Sequence, residues 1–254
     1  KTILKSRGKI YYWIAILFFT GFFTIGCTRM QDQLEATHYF GMDTYLRLLT
    51  PPLTEQRTLT VEKELVRLEH LFSRFSPEGG VNQINEKAGT WVETDEAIID
   101  LLMDAKFFSE KTDGAFDPTI GPLTELWQIS ISSADQFKED WHPPSPSLVE
   151  KEKKLVDYRL LEVNSEKKQV KLHNKNMRLD VSGIAKGYAV DYFAKLLQAW
   201  GVSQGLIDFG GDIFALGEHP DGRPWKLGIS NPSQPEKMFA TVSVVNKAVT
   251  TSGN

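Results

Sequence analysis

Residues 205–229 read GLIDFGGDIFALGEHPDGRPWKLGI, three short apolar segments separated by turn residues. The segments are 205–209, 213–216 and 225–229. A glycine pair follows the first segment and Pro220-Asp221-Gly222 follows the second, and both are typical of tight turns. Connections this short leave no room for a crossover helix, which needs a dozen or more residues. The stretch therefore predicts neighbouring strands that run antiparallel.

The rest of the chain adds helices and strands without one-for-one alternation. Apolar residues recur at helical spacing in three stretches, and further strands flank them. The predicted helices cover 54–75, 94–112 and 183–200. The other predicted strands are 38–49, with a bulge or a close backbone approach at Gly41-Met42, short strands within 153–179, 239–245 and 248–251. The pattern predicts an α+β fold, with a largely antiparallel sheet and flanking helices. The sequence contains neither GxGxxG nor a Walker pattern, which disfavours a doubly wound nucleotide fold.

The first 26 residues are typical of an export signal. Basic residues and no acidic one precede an apolar run from Ile10 to Ile25. Those 16 residues span about 24 Å as a helix, less than the roughly 30 Å of a bilayer core, which suits a signal peptide. Gly26-Cys27 resembles a bacterial lipobox, although Thr24 stands where leucine is usual. We expect a lipid anchor on Cys27 and a tether over 27–36; the alternative is an uncleaved anchor helix.

The chain beyond the signal is acidic. The sequence has 29 basic and 33 acidic residues, and four of the basic ones lie in the signal, which leaves a net charge near −8. We therefore expect no nucleic-acid partner. Cys27 is the only cysteine, so this sequence holds no disulfide framework and no thiolate metal cluster. Because it ends at Asn254 inside what resembles an ordered segment, we expect truncation at the C-terminus.

One segment with ligand-binding chemistry is GAFDPTIGPL at 114–123. Its glycines and prolines predict an irregular, rigid backbone after a helix. Phe116 and the later Trp127 could wall a flat aromatic ligand, and Asp117 could accept a hydrogen bond from its polar edge. The alternative is a rigid loop whose aromatic rings belong to the core.

A second such segment is LDVSGIAKGY at 179–188, at the junction of a strand and a helix. Free amides and the positive end of a helix dipole attract phosphate. Gly183 allows the backbone to approach a ligand or a metal, and Lys186 adds a cation. The alternative is an ordinary turn with Asp180 as helix cap.

Two weaker segments are interpreted as structural. GMDT at 41–44 is interpreted as a turn or bulge. In DFGGD at 208–212, Asp208 and Asp212 could be metal ligands but are interpreted as acceptors for turn amides.

Taken together, these segments resemble the ApbE family, the FAD:protein FMN transferases. The resemblance extends from Phe40 to Asn254 and is carried by ordered strings: GMDT, LFSRFSP, GAFDPTIGPLTELW, LDVSGIAKGYAVD, IDFGGDIFALG and TTSGN. It implies a T-fold-like α+β core over 37–254. It also implies that FAD is the substrate, that Mg²⁺ is required, and that FMN moves to a threonine hydroxyl of a partner protein with release of AMP.

The resemblance also assigns roles to individual residues. It places Gly183 among the Mg²⁺ ligands, through its backbone carbonyl. The implied FAD contacts are Met42, Phe75, Ala115, Phe116, Asp117, Asp180 and Lys186. Asp43 departs from the family, which usually has glycine there, and this departure questions the local backbone geometry. The family's side-chain Mg²⁺ ligands, an Asp and a Thr, are expected beyond residue 254, as is a DPRTG-like motif with a nearby His.

Three functions follow from the sequence. The first is the flavin transferase, anchored on the periplasmic side of the inner membrane, with an acceptor in a membrane electron-transport or ion-pumping complex. The second is a Mg²⁺-dependent FAD pyrophosphatase, in which water replaces threonine. The third is a non-catalytic lipoprotein that binds FAD. Finding the Asp and Thr metal ligands would favour an enzyme over a carrier.

Overall fold

The structure is a computed structural model that describes residues 33–129 and 141–251. The predicted signal peptide and Cys27 lie outside these residues. The helices of the described part are α1 Glu55–Phe72, α2 Gly80–Glu86, α3 Glu96–Lys111, α4 Gly121–Leu126, α5 Pro146–Lys153 and α6 Ser182–Ala199. The strands are β1 Glu35–Gly41, β2 Thr44–Thr50, β3 Val92–Glu93, β4 Leu161–Asn164, β5 Gln169–Leu172, β6 Gly205–Phe209, β7 Asp212–Leu216, β8 Trp225–Asn231, β9 Gln234–Val244 and β10 Lys247–Val249.

The main sheet has five strands in the order β1-β2-β6-β7-β10. Each neighbouring pair is antiparallel, which confirms the prediction for β6 and β7. β8 was predicted to neighbour them but pairs with β9 in a separate two-stranded sheet. The register pairs Leu46 with Phe209 and Leu48 with Ile207, and all four side chains are fully buried. One face of the sheet therefore packs against the core. The prediction of an α+β fold with a largely antiparallel sheet is confirmed.

The prediction of one strand over 38–49 is wrong. The chain reverses at Met42 and Asp43, so that Gly41 pairs with Thr44 in a hairpin; of the predicted turn or bulge at 41–44, the structure has the turn. A side chain at Gly41 would overlap Leu65 of α1, at 2.8 Å from its Cγ. The hairpin thus packs directly on the helix. β1 also begins at Glu35, two residues inside the predicted tether.

Helices α1 and α6 cover the buried face of the main sheet. The Thr54 hydroxyl accepts a hydrogen bond from the Arg57 amide and caps α1. The buried stripe of α1 is Val61, Leu65, Leu68 and Phe72. Each such side chain contributes on the order of 1.5–3 kcal/mol through burial. α6 closes as predicted, with Gly201 at φ +81° after its last turn.

The helical spacing that predicts helices over 54–75 and 94–112 includes two aromatic residues, Phe75 and Phe108, that are not buried. α1 ends at Phe72, so Phe75 falls beyond the stripe and is 57% exposed. On α3, Phe108 is 48% exposed, whereas the neighbouring Ser109 is fully buried and donates to the Ala105 carbonyl. In both cases, an apolar residue near the end of the helical pattern does not belong to the set of side chains that pack against the core.

The β8–β9 hairpin covers part of the opposite face of the main sheet. Trp225 and Leu227 of β8 form a second apolar cluster with Ala215 of β7. A third, smaller sheet has the order β3-β5-β4 and includes the predicted strands within 153–179. No helix among the described residues has both the length and the apolar character needed to cross a bilayer.

Candidate functional site

The backbone before α6 is fixed from two sides. The Asn85 side chain, buried on α2, accepts from the Leu179 amide at 2.6 Å and donates to the Leu179 carbonyl at 3.0 Å. The next amide, that of Asp180, donates to the Pro118 carbonyl at 2.8 Å. The strand–helix junction is therefore tied both to α2 and to the loop after α3.

The Asp180 carboxylate lies beneath the start of α6, with its side chain 2% exposed. Oδ1 accepts from the Ser182 amide at 3.0 Å and from the Ser182 hydroxyl at 2.6 Å. Oδ2 accepts from the Thr124 hydroxyl at 2.8 Å and lies 3.2 Å from Nε of Arg74. Burial alone would raise the pKa of Asp180, but the bonds from Ser182 and Thr124 and the charge of Arg74 outweigh burial and lower this pKa.

Arg74 is the central residue of this site that the sequence reasoning did not single out, although it lies within LFSRFSP. Its side chain is 8% exposed. Besides Asp180, it contacts Glu125 of α4, with 3.5 Å between Nη1 and Oε1, and donates from Nη2 to the Ile129 carbonyl at 2.9 Å. The Arg74 guanidinium lies 4.2 Å from the ring centroid of Phe75. One cation therefore joins α4, the α6 junction and the segment after α1.

The aromatic residues predicted to contact a ligand lie beside this junction. Phe75 rests on Arg74 and is mostly exposed. Phe116 is half-buried, and its Cε2 atom is 3.4 Å from the position that a Cβ of Gly183 would occupy. Ala115 is exposed next to it. The structure thus brings Phe75 and Phe116 to the start of α6, where a flat ring could be held.

Asp117 directs its carboxylate into the protein. Oδ1 accepts from the Thr119 amide at 2.8 Å and from the Thr119 hydroxyl at 2.6 Å. Oδ2 accepts from the Tyr158 amide at 2.9 Å, and Asp117 as a whole is 9% exposed. In this structure its bonds organise the loop that carries Ala115 and Phe116, and its contact with a ligand stays a prediction.

The first turn of α6 has room for a ligand. The Gly183 backbone is exposed, and its amide has no acceptor among the residues that the structure describes. A side chain at Gly187, one turn later, would meet no atom within 4 Å. Lys186 is half-buried and makes no ion pair within residues 33–129 and 141–251. An open helix N-terminus with a cation beside it suits a phosphate group.

Met42 is the predicted contact on the main sheet. It is half-buried in the β1–β2 turn, with φ +49°. The β6–β7 turn lies alongside, since the Gly210 amide donates to the Tyr45 carbonyl at 3.2 Å. Leu65 of α1 lies under this hairpin, and the same helix ends seven residues later, just before Arg74.

A separate cleft of about 780 Å³ lies between α1, α3 and α6. No residue predicted to contact a ligand lines it. Its lining has five carboxylates and three cations, and the resulting net negative charge disfavours an anionic pyrophosphate. These carboxylates are Asp95, Glu96, Asp100, Asp104 and Asp191. The junction at Asp180, rather than this cleft, is therefore the candidate site.

Comparison with protein-family models matches residues 41–254 to the ApbE family. The chain belongs to this family. A Treponema pallidum (strain Nichols) protein named FAD:protein FMN transferase is 32% identical over 216 residues, which cover 79% of this chain and 56% of the relative. An Escherichia coli K12 protein of the same name is 26% identical and covers 98% of this chain and 72% of the relative.

This ApbE chain spans about half the length of two of its curated relatives, 56% of the Treponema protein and 45% of a Salmonella typhimurium protein. Solved structures of the family share its fold. An ApbE protein from Thermotoga maritima superposes with a TM-score of 0.77 at 29% identity, covering 87% of this chain and 71% of that one. The apo flavinyl transferase ApbE from Pseudomonas stutzeri gives 0.75 at 26% identity, covering 89% and 72%. The predicted family and fold are confirmed.

Proposed function

We propose that this protein transfers FMN from FAD to a threonine hydroxyl of a partner protein and releases AMP. Family membership and the names of the relatives support the transferase. The observation that carries the proposal to particular residues is the junction at Asp180. There a buried ion pair, two aromatic rings, an open helix N-terminus and Lys186 come together.

The proposed reaction is a phosphoryl transfer. The threonine oxygen forms a bond to the phosphorus of the FMN half, and the bond from that phosphorus to the bridging pyrophosphate oxygen breaks. AMP leaves with the bridging oxygen, and the hydroxyl loses its proton. Such a reaction depends on positioning and on charge neutralisation more than on covalent chemistry by the protein.

We assign different roles in this reaction to the residues of the junction. Lys186 and the free amide of Gly183 would neutralise and orient a phosphate of FAD. Phe75 and Phe116 would hold a flat ring of the substrate through their exposed faces. Asp180 would fix the first turn of α6 through Ser182, so that the amides keep their direction while the substrate binds.

Mg²⁺ enters this proposal through the sequence resemblance, with the Gly183 carbonyl as one ligand. The described residues contain no group of three or more His, Cys, Asp or Glu side chains that could hold a metal. Mg²⁺ prefers several oxygen ligands in near-octahedral geometry. The described part of the chain therefore offers no such side-chain cluster for the ion, and we assign no step to the metal.

The location and the partner also belong to the proposal. A lipid anchor at Cys27 would hold the protein on the periplasmic side of the inner membrane, beside acceptors in electron-transport or ion-pumping complexes. Tethering both proteins to one membrane raises their effective concentration. The anchor is tested by radiolabelled fatty-acid incorporation into the protein and into a Cys27→Ser variant, and equal labelling of both would refute it.

The activity is tested by incubating the protein with FAD, Mg²⁺ and a threonine-bearing acceptor, followed by in-gel flavin fluorescence. We expect a fluorescent acceptor that survives denaturation. Lys186→Gln should slow labelling at least about tenfold, because one charge contact to phosphate is lost. Lys195→Gln, an exposed charge farther along α6, is the matched control. Free FMN and AMP without labelled acceptor would indicate a pyrophosphatase, and bound FAD without product would indicate a carrier.

A further inference from the structure

Each nitrogen of the Arg74 guanidinium contacts an acceptor of the protein itself. Its three nitrogens face three acceptors: Nε faces Asp180 at 3.2 Å, Nη1 faces Glu125 at 3.5 Å and Nη2 donates to the Ile129 carbonyl at 2.9 Å. One face of the guanidinium plane lies over the ring of Phe75. With 8% of the side chain exposed, Arg74 has little surface for a ligand. Any effect on a ligand must therefore pass through the groups that Arg74 holds.

Two of those groups are implied FAD contacts. Asp180 precedes α6 and Phe75 follows α1, so they are more than 100 residues apart in the sequence. Arg74 contacts the Asp180 carboxylate with its edge and the Phe75 ring with its face. Glu125 and the Ile129 carbonyl fix the remaining nitrogens, so the guanidinium plane cannot turn without breaking a contact.

The chemistry of this position requires arginine rather than any cation. A guanidinium is planar, stays charged and directs its donors in a rigid fork, whereas a lysine ammonium is a single point charge on a flexible stem. Lysine could reach one of the three acceptors but could not also present a flat face to Phe75. Loss of the fork would free both the carboxylate and the ring.

We infer that Arg74 is a positioning residue that sets Asp180 and Phe75 in the arrangement that binds FAD. This inference rests on the proposed function. It is separate from the phosphate contacts assigned to Lys186, because it concerns the orientation of two side chains and not the neutralisation of charge on the substrate. It predicts that loss of Arg74 weakens FAD binding through Asp180.

The first test measures FAD affinity by equilibrium dialysis, which needs no transfer activity. We expect Arg74→Gln and Arg74→Lys each to weaken binding at least about tenfold, since neither restores the fork. Arg67→Gln is the matched control: Arg67 lies on α1, before the segment that holds Arg74, and pairs with Glu64 and Asp95, away from the junction. Affinity of the Arg74 variants equal to that of the control variant would overturn the inference.

The second test is a double-mutant cycle with Asp180→Asn. Because Arg74 holds Phe75 as well as Asp180, adding Arg74→Gln to Asp180→Asn should still weaken FAD binding, but by a smaller factor than the same change in the unchanged protein. Losses that multiply in full would show that Arg74 acts independently of Asp180, and would overturn the inference. FAD binding by the unchanged protein tests the proposed function separately.

The third test separates positioning from a general loss of structure. With saturating acceptor, Arg74→Gln should raise KM for FAD at least about tenfold and change kcat less than about twofold, as expected when binding contacts are lost. A fall in kcat with unchanged KM would indicate a smaller folded fraction and would contradict the inference. If Arg74→Gln does not fold, Arg74→Lys decides by the same three measurements.

Discussion

At the scale of single residues, the β1–β2 turn depends on left-handed backbone at two positions. Met42 has φ +49° and Asp43 has φ +61°. Positive φ at both central residues is the geometry whose twist matches the flanking strands of a two-residue hairpin. Aspartate tolerates this region better than most side chains. The departure from glycine at position 43 is thus compatible with the turn.

Replacing Asp43 tests this account of the turn. Asp43→Val should lower the free energy of unfolding by about 1–2 kcal/mol, because a β-branched residue is strained at positive φ. Asp43→Gly should stay within about 0.5 kcal/mol of the original, since glycine accepts the conformation. Glu35→Val, at the exposed start of β1, is the control. Urea denaturation measures all three, and equal stability of the two Asp43 variants would refute the account.

At the scale of elements, α6 combines a ligand-facing first turn with a packed body. Ala189, Phe193 and Leu197 of this helix are buried against the sheet. Gly187 faces open space in the helix, whereas Gly201 follows its end at φ +81°. Both glycines have room for a side chain, so the backbone conformation alone distinguishes them.

This difference predicts opposite effects of the same substitution. Gly187→Ala should raise the free energy of unfolding by about 0.5–1 kcal/mol, because alanine is the better helix former. Gly201→Ala should lower it by about 1 kcal/mol, because a left-handed position disfavours a Cβ. Thermal and urea unfolding of both variants provide the measurement. A change of the same sign in the two proteins would contradict this explanation.

The contact between α2 and the α6 junction gives a second prediction for elements. Asn85→Ala removes both hydrogen bonds to Leu179 and leaves its buried amide and carbonyl without partners, which should cost about 2–4 kcal/mol. The control is Asn82→Ala, on the same helix, whose side chain bonds only to Glu86 at the surface and should cost under about 0.5 kcal/mol. Equal losses in urea denaturation would show that the Leu179 contact is not the cause.

At the scale of the whole molecule, two carboxylates affect stability in opposite directions. The pKa of Asp180 is lowered, because hydrogen bonds from Ser182 and Thr124 and the charge of Arg74 outweigh the effect of burial. The pKa of Asp100, in the acidic cleft, is raised by burial and by the nearby charges of Glu96 and Asp104. Asp180 therefore stabilises the folded state when ionised, whereas ionised Asp100 destabilises it.

The opposite directions of these two pKa shifts can be tested by measuring stability at two pH values. At pH 7, Asp180→Asn should lower the free energy of unfolding by about 3 kcal/mol, as for a broken buried pair, while Asp100→Asn should raise it. As pH falls, the gain in Asp100→Asn should vanish by about pH 4, the ordinary value of an aspartate pKa. The loss in Asp180→Asn should persist at that pH and shrink only below it. Urea titrations at both pH values check this, and the reverse order would refute the assignment.

The local patterns of the sequence determined most of the elements. Alternating apolar residues and glycine or proline turns predicted the strands from 205 onwards, and helical spacing predicted α1, α3 and α6 to within a few residues. A turn or bulge was predicted at 41–44, but not that it divides the predicted strand in two, because a turn without glycine at its second position resembles a bulge. The motifs also led to the Asp180 junction, since a strand followed by a glycine-containing helix start is a local signal.

Tertiary structure alone decided which side chains share the site and what each of them contacts. No local pattern could pair Arg74 with Asp180, because the partners lie on segments far apart in the sequence. The same holds for Asp117, whose residue type suggested a ligand contact but whose bonds go to Thr119 and Tyr158. Local propensity acts over a few residues, whereas burial and charge pairing depend on which segments the fold brings together. The sequence therefore determined the elements, and packing assigned their polar side chains.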